Sequence, residues 1–545
     1  MKSIFLYLWI LLIPCYNYAQ DAVTETNNLQ SLCKIWGFLK YYHPNVAEGK
    51  FDWDAALLQV LPTVKEIDNN VDLSNFYIKW IHSLGTIKKR RVKPSKDSFD
   101  KNFDLTWMGE ASFLTDSLKN NLKYIERNRH QGKSQYVKLG KYGEIKILNE
   151  KKYKTVDYPE EDYRLLNLFR YWNVINYFYP HKYLMDTHWN VTLKEMMPLF
   201  RNAATRLEYH LAMNQLVSRL DDGHVYFSTP QIKDYFGPKY LPFLLTYDKN
   251  SNAVVTKILN DSLATLNHIE RGDLLLKFKG SKIATIFENT KKYIKASSVN
   301  AKYRKLSNTS LRSTDSVIIE LQRKGKKIEN KIALYDPKYY KYGDGSKVKW
   351  KILKNNIGYV NTANVRIKEV SLMMKNLEKT TGLIIDIRYY PSYLIKVLLN
   401  YLSEDRSPFS VHISPDISYP GKFNLTKNYS GKKNKNYYKG AVVILVNENT
   451  ISRGEYLAMA LQSLKNVYTI GRQTAGSDGE LSRVEFVGGY RTTFTGVGVL
   501  YPDGNESQRK GVKIDKVVKF HLDDFIKGED SILNEAILYL TNKSK

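Results

Sequence analysis

The spacing of apolar positions divides this chain into three stretches. Through about residue 225 the apolar residues recur at helical intervals, crowded with Trp and Tyr, and the runs are broken at Pro44 and Pro180. A proline ring blocks the helical hydrogen bond, so each run predicts a helical hairpin with an aromatic core. From Leu241 onward the runs shorten: Leu241–Leu245, Ala253–Val255, Leu274–Phe278, Val317–Leu321 and Ile332–Leu334 predict strands, and Ser262–Ala264 opens a short helix. Beyond about residue 350 the runs become continuous, at Ile357–Val360, Leu383–Ile387, Val442–Val446 and Val467–Ile470, with a helix over Tyr456–Leu464. A strand without polar alternation is buried on both faces, as in a parallel sheet covered by helices. The expected class is α/β and multidomain.

The first stretch is duplicated. Trp36 matches Trp172, Tyr41 matches Tyr177, Pro44 matches Pro180, Trp53 matches Trp189, Pro62 matches Pro198 and Leu84 matches Leu220, all at an offset of 136 without a gap. The copies diverge at their ends. The second closes as Leu220-Asp221-Asp222-Gly223-His224-Val225, whereas Lys88 occupies the first copy's equivalent of His224. A duplicated scaffold with a reactive group on one copy only is the pattern of a grafted site. A structural turn histidine after Asp-Asp-Gly is the plainer reading of the same residues. Asp221, Asp222 and His224 are metal-ligand types. No second His lies at helical spacing and no His-Glu-x-x-His occurs, so neither a metal nor a cofactor is expected.

At 545 residues the chain exceeds one hydrophobic core, and several domains are expected. The formal net charge of +28 raises the question of an anionic partner. Its lysines are scattered, with only a short run at Lys88-Lys89-Arg90-Arg91. That distribution fits compositional bias and peripheral attraction to an anionic envelope surface; no nucleic-acid partner is expected. Residues 1–19 read as a secretory signal peptide: Lys2 is the positive start, Ile4–Ile13 is too short to span a bilayer, and Ala19 precedes Gln20. The reading places the mature chain in the periplasm or envelope. A lipid anchor on Cys15 is the lesser alternative, because Leu12-Ile13-Pro14 lacks small residues. Only Cys33 then remains, so no internal disulfide forms.

Ser452 follows the run Val442–Val446 and precedes the predicted helix, with Glu455 three residues on. Two readings compete. A capping box would use Ser452 and Glu455 to satisfy free N–H groups. A nucleophile would present its developing oxyanion to the positive helix end. The wider motif set decides between them. Gly358-Tyr359-Val360, Ile385-Asp386-Ile387-Arg388, Val446-Asn447-Glu448 through Ser452 and Glu455, Ile470-Gly471 with Thr474-Ala475-Gly476, Tyr501-Pro502-Asp503-Gly504 and Gly511-Val512-Lys513-Ile514-Asp515 follow in order. Together they resemble the C-terminal processing (tail-specific) serine peptidases. The resemblance implies a ClpP/crotonase-like parallel-sheet core and maps the nucleophile to Ser452.

Many members pair that serine with a lysine 25 residues on, where this chain has Ser477. It therefore resembles the tricorn-like branch, in which an upstream histidine is the base, and that residue maps to His224. The branch's third member maps near Gln508, with Glu506 as the alternative. Backbone N–H groups of Arg453 and Ser392 are the expected oxyanion donors. The order strand, helix, Gly272-Asp273 turn, strand resembles a PDZ module, whose peptide-binding residues map to Leu241, Phe243 and Leu244, with Pro242 where glycine is usual. The expected organisation is a helical repeat with a small mixed segment over 20–158, a second repeat carrying Asp-Gly-His over 159–236, a PDZ-like domain over 237–336 and a tail-specific protease core over 337–545. The expected function is an exported serine peptidase acting on polypeptides. The alternative is a catalytically inactive peptide-binding envelope protein of the same fold.

Overall fold

The computed structural model describes residues 24–91, 98–110, 114–156, 158–247, 252–341 and 347–543. The signal-peptide reading, with Lys2, Cys15 and Ala19, lies outside the described residues. The chain forms two compact units. One comprises Met1–Leu216, Ser414–Leu425 and Leu481–Val497; the other comprises Val217–Ile413, Thr426–Glu480 and Gly498–Lys545. The division falls just before the Asp221–His224 turn, which therefore belongs to the same unit as Ser452.

The first unit is built on the duplication. Helices α1 (24–42), α2 (Trp53–Lys65) and α3 (Asn70–Ser83) recur as α4 (Glu161–Phe178), α5 (Trp189–Arg201) and α6 (Arg206–Ser218). A buried indole needs a partner for its N–H, and both copies solve this identically. Trp36 donates to the Trp53 carbonyl at 2.9 Å and Trp53 to the Trp36 carbonyl at 3.1 Å. Trp172 and Trp189 repeat the exchange at 2.9 and 3.0 Å. The long helices α1 and α4 meet at equivalent positions. Tyr41 lies 5.4 Å from Tyr177, ring centre to ring centre. Gly37 sits under Asn173, its own counterpart, where any Cβ would overlap the amide. Contact between equivalent positions gives the pair the self-complementarity of a two-fold interface.

The second unit contains a small module and a larger sheet. In the module, β1 (Phe243–Tyr247), β2 (Ala253–Ile258), β3 (Leu274–Phe278), β4 (Val317–Arg323) and β5 (Lys326–Ile332) form an antiparallel sheet in the order β5-β4-β3-β2-β1. Helix α7 (Val299–Thr309) lies against β1, with Tyr303 5.2 Å from Tyr247. Leu241 and Phe243, expected along a peptide groove, are core residues at 3% and 1% exposure, and only Leu244 is half-buried. With Ser307 and Asn308 they line a small cleft.

The larger sheet runs β6 (Trp350–Leu353), β7 (Ile357–Asn361), β8 (Gly382–Asp386), β9 (Ala441–Val446), β10 (Val467–Gly471) and β11 (Lys516–Val517) in spatial order. Only β6 is antiparallel. Leu383, Ile385, Val442 and Ile444 pack in the cluster of helices α8 (Val370–Leu377), α9 (Ile395–Leu402) and α10 (Arg453–Gln462). The intervening Ile384, Val443 and Leu445 join α11 (Ser531–Lys543) in the other. Both faces are covered, which is why the sequence shows continuous apolar runs. The connection 447–452 leaves the carboxyl end of β9 and enters α10, the usual position of sites in such sheets.

Candidate active site

Ser452 adopts φ 55° and ψ −121°. An L-residue at positive φ is strained by about 1–3 kcal/mol and persists only where its surroundings fix it. The Ser452 N–H donates to the Ser477 carbonyl at 2.9 Å, and the Ala475 N–H to the Thr450 carbonyl at 3.0 Å. The Thr450 hydroxyl donates to the Ile387 carbonyl at 3.1 Å. The Ser452 side chain makes no helix-cap bond, so the capping box does not form. Glu455 instead leaves its own helix to hold the opposite loop. It accepts from the Thr474 hydroxyl at 2.5 Å, the Gly476 N–H at 2.7 Å and the Ser477 N–H at 2.8 Å. Burial pushes its carboxyl pKa up, against the pull of its donors.

The expected oxyanion donors separate. The Ser392 N–H donates to the Thr362 carbonyl at 3.1 Å and is not available to a substrate. The loop bends here because Arg388 is tied to Asp386 at 2.7 Å and Asp530 at 2.6 Å, and Ser392 folds back onto the strand-end segment. Arg453 occupies the first position of α10, where a helix offers its N–H no carbonyl. Its guanidinium is drawn aside by the Pro391 carbonyl at 3.1 Å and the Tyr393 ring, 3.3 Å to the ring centre.

His224 sits in a tight turn closed by Asp222, whose Oδ1 accepts the His224 backbone N–H at 2.9 Å. This is an Asx turn, legible in Asp-Gly-His. The same Oδ1 accepts from the Ser477 hydroxyl at 3.1 Å and from Gln508 Nε2 at 3.4 Å. Gly223 lies against Ser477, where a Cβ would come within 2.9 Å of the hydroxyl. The His224 turn therefore touches the residue whose carbonyl holds the Ser452 backbone. Gln508, expected to orient His224 through its side chain, bonds Asp222 instead. Lys305 of α7 donates to the Gly223 carbonyl at 3.2 Å. Burial pushes the His224 pKa below its ordinary value; Asp222 opposes that shift and Lys305 adds to it. Among the described residues no group of three or more His, Cys, Asp or Glu converges as a metal site.

The sequence pattern did not reveal the contacts that Asp222, Ser477 and Lys305 make at the site. Asp222 carried a local signal, the Asx turn. The other two are brought in by the fold.

The family model for Peptidase family S41 matches residues 356–518. The chain carries a peptidase S41 domain. That domain contains Ser452, Glu455, Ser477 and Gln508, whereas His224 and Lys305 reach the site from upstream of it. The chain is 28% identical over 178 residues to the carboxy-terminal processing protease CtpA of Bacillus subtilis (strain 168), covering 32% of this chain. It spans 37% of the length of that curated relative. Among solved structures it is similar to mature CPAF, with a TM-score of 0.54 at 13% identity over 70% of this chain and 98% of that one. Mature CPAF complexed with lactacystin gives a TM-score of 0.53 at 13% identity over 71% and 98%. These likenesses establish the fold.

Proposed function

We propose that this protein is a serine peptidase that cleaves polypeptides through an acyl-enzyme on Ser452, with His224 as general base. The observation carrying the reading is the strained Ser452 backbone with its hydroxyl unused as a cap, held through Ser477 beside the His224 turn. Strain of this kind presents a side chain from a strand-to-helix turn. A neutral imidazole suits the role of base, because it must accept a proton at working pH.

In the proposed reaction, His224 takes the Ser452 Oγ proton as Oγ bonds to the scissile carbonyl carbon. The carbonyl oxygen gains the negative charge and faces the Arg453 N–H and the positive end of α10. The C–N bond then breaks, and His224 gives its proton to the departing amine. Water repeats the sequence on the acyl-enzyme, releasing the new carboxyl terminus and restoring Ser452. The leader pattern of residues 1–19 supports action in the periplasm or envelope.

One observation favours the second reading, peptide binding without turnover: the Ser392 N–H is engaged and leaves Arg453 as the single named oxyanion donor. Incubation with an unfolded polypeptide separates the two. Cleavage by the wild type and its loss in Ser452→Ala is the expected result. Equal cleavage by both, or none by either, contradicts the assignment.

A further inference from the structure

Three donors from three distant parts of the chain converge on one buried oxygen. Asp222 is 1% exposed, Ser477 0% and Gln508 2%. Asp222 Oδ1 accepts from the His224 N–H, the Ser477 hydroxyl and the Gln508 amide. Nothing local requires this. The Asx turn needs only the first bond, and residues 477 and 508 are 255 and 286 positions away. Gln508 is buried, and its Nε2 donates to Asp222 Oδ1 at 3.4 Å. Ser477 links the two halves of the site. Its hydroxyl holds Asp222 while its carbonyl accepts the Ser452 N–H.

We infer that Asp222 is the carboxylate of this site, a positioning residue that fixes the His224 turn relative to Ser452 and is itself held by Ser477 and Gln508. The inference rests on the proposed Ser452–His224 reading and deepens it. Ser477, which stands where the resemblance places a lysine, and Gln508, its mapped third member, both donate to this one oxygen. Placing a carboxylate at 508 would then be harmful, because it would set two buried negative charges against each other. The other charges near the turn are balanced differently: Asp221 is paired with Lys302 at 2.9 Å and Arg509 at 4.0 Å, and Lys305 donates to the Gly223 carbonyl at 3.2 Å.

The test compares wild type, Asp222→Asn, Gln508→Glu and the double variant for polypeptide cleavage and for covalent labelling by a fluorophosphonate, across the range in which an imidazole titrates. Asp222→Asn is expected to lower kcat about 10²-fold, the scale of a displaced catalytic group, with KM little changed. Its acid limb should move to lower pH, since the charge that raised the His224 pKa is gone. Gln508→Glu should lose about tenfold or more, and the double variant, which restores one carboxylate and one amide with their places exchanged, should recover to within about tenfold of wild type. Ser477→Ala, which adds no charge, guards against misfolding of Gln508→Glu and should show a smaller loss in the same direction. Wild-type rates and an unchanged acid limb in Asp222→Asn would overturn the positioning role while leaving the Ser452–His224 reading intact. A double variant no better than the worse single variant would also overturn it. Absence of both labelling and cleavage in the wild type would instead remove that reading, and this inference with it.

Discussion

Replacing His224 with Ala is expected to lower kcat by about 10⁴- to 10⁶-fold, the loss seen when the base of a serine hydrolase is removed. A serine hydroxyl holds its proton too tightly to attack an amide carbonyl unaided. Position 477, where a lysine could have served as base, holds a serine whose hydroxyl donates to Asp222. The loss should appear in kcat more than in KM, because the imidazole acts on the transition state. The wild-type pH profile carries the same information. Burial and Lys305 lower the His224 pKa, outweighing Asp222. The neutral imidazole then persists to more acidic pH than usual, and the acid limb of kcat/KM should lie below the ordinary imidazole value. A half-maximum well above that value would mean a different group titrates.

Glu455→Ala should be the most destabilising single change at the site, by about 3 kcal/mol or more. It strands three buried donors at once, the Thr474 hydroxyl and the Gly476 and Ser477 N–H groups, at about 1–3 kcal/mol each. The loop carrying Ser477 would lose its anchor, so activity should fall along with stability. The effect has a pH sign. The folded-state pKa of Glu455 is raised, so its contribution is fully present below the unfolded value and declines as pH rises through the folded one. The gap between variant and wild type in denaturant titration should therefore narrow with rising pH. A variant as stable as wild type would show that the loop is held by other contacts.

The parallel sheet was legible because burial on both faces writes itself as unbroken apolar runs: Leu383–Ile387 and Val442–Val446 correspond to β8 and β9 within a residue or two. The duplication was legible because each copy must pair the same two indoles. Ser452 was ambiguous for a physical reason. A capping serine and a strained serine presented from a turn share the same neighbours in sequence, and only the backbone angle separates them. The partners of Asp222 were hidden because hydrogen bonds across more than 250 positions leave no periodic trace. The engaged N–H of Ser392 was hidden too, since it depends on how the Arg388 ion pairs turn the loop. Leu241 and Phe243 map to a groove only through the resemblance to a PDZ module, and their apolar character suits equally the core they occupy.

The most direct test of the central claim is the site of covalent modification. Wild-type protein treated with a fluorophosphonate and digested for mass spectrometry should carry one adduct, on the peptide containing Ser452, and the His224→Ala variant should form it far more slowly. An adduct on another residue, or none on a protein that nevertheless cleaves polypeptides, would contradict the account.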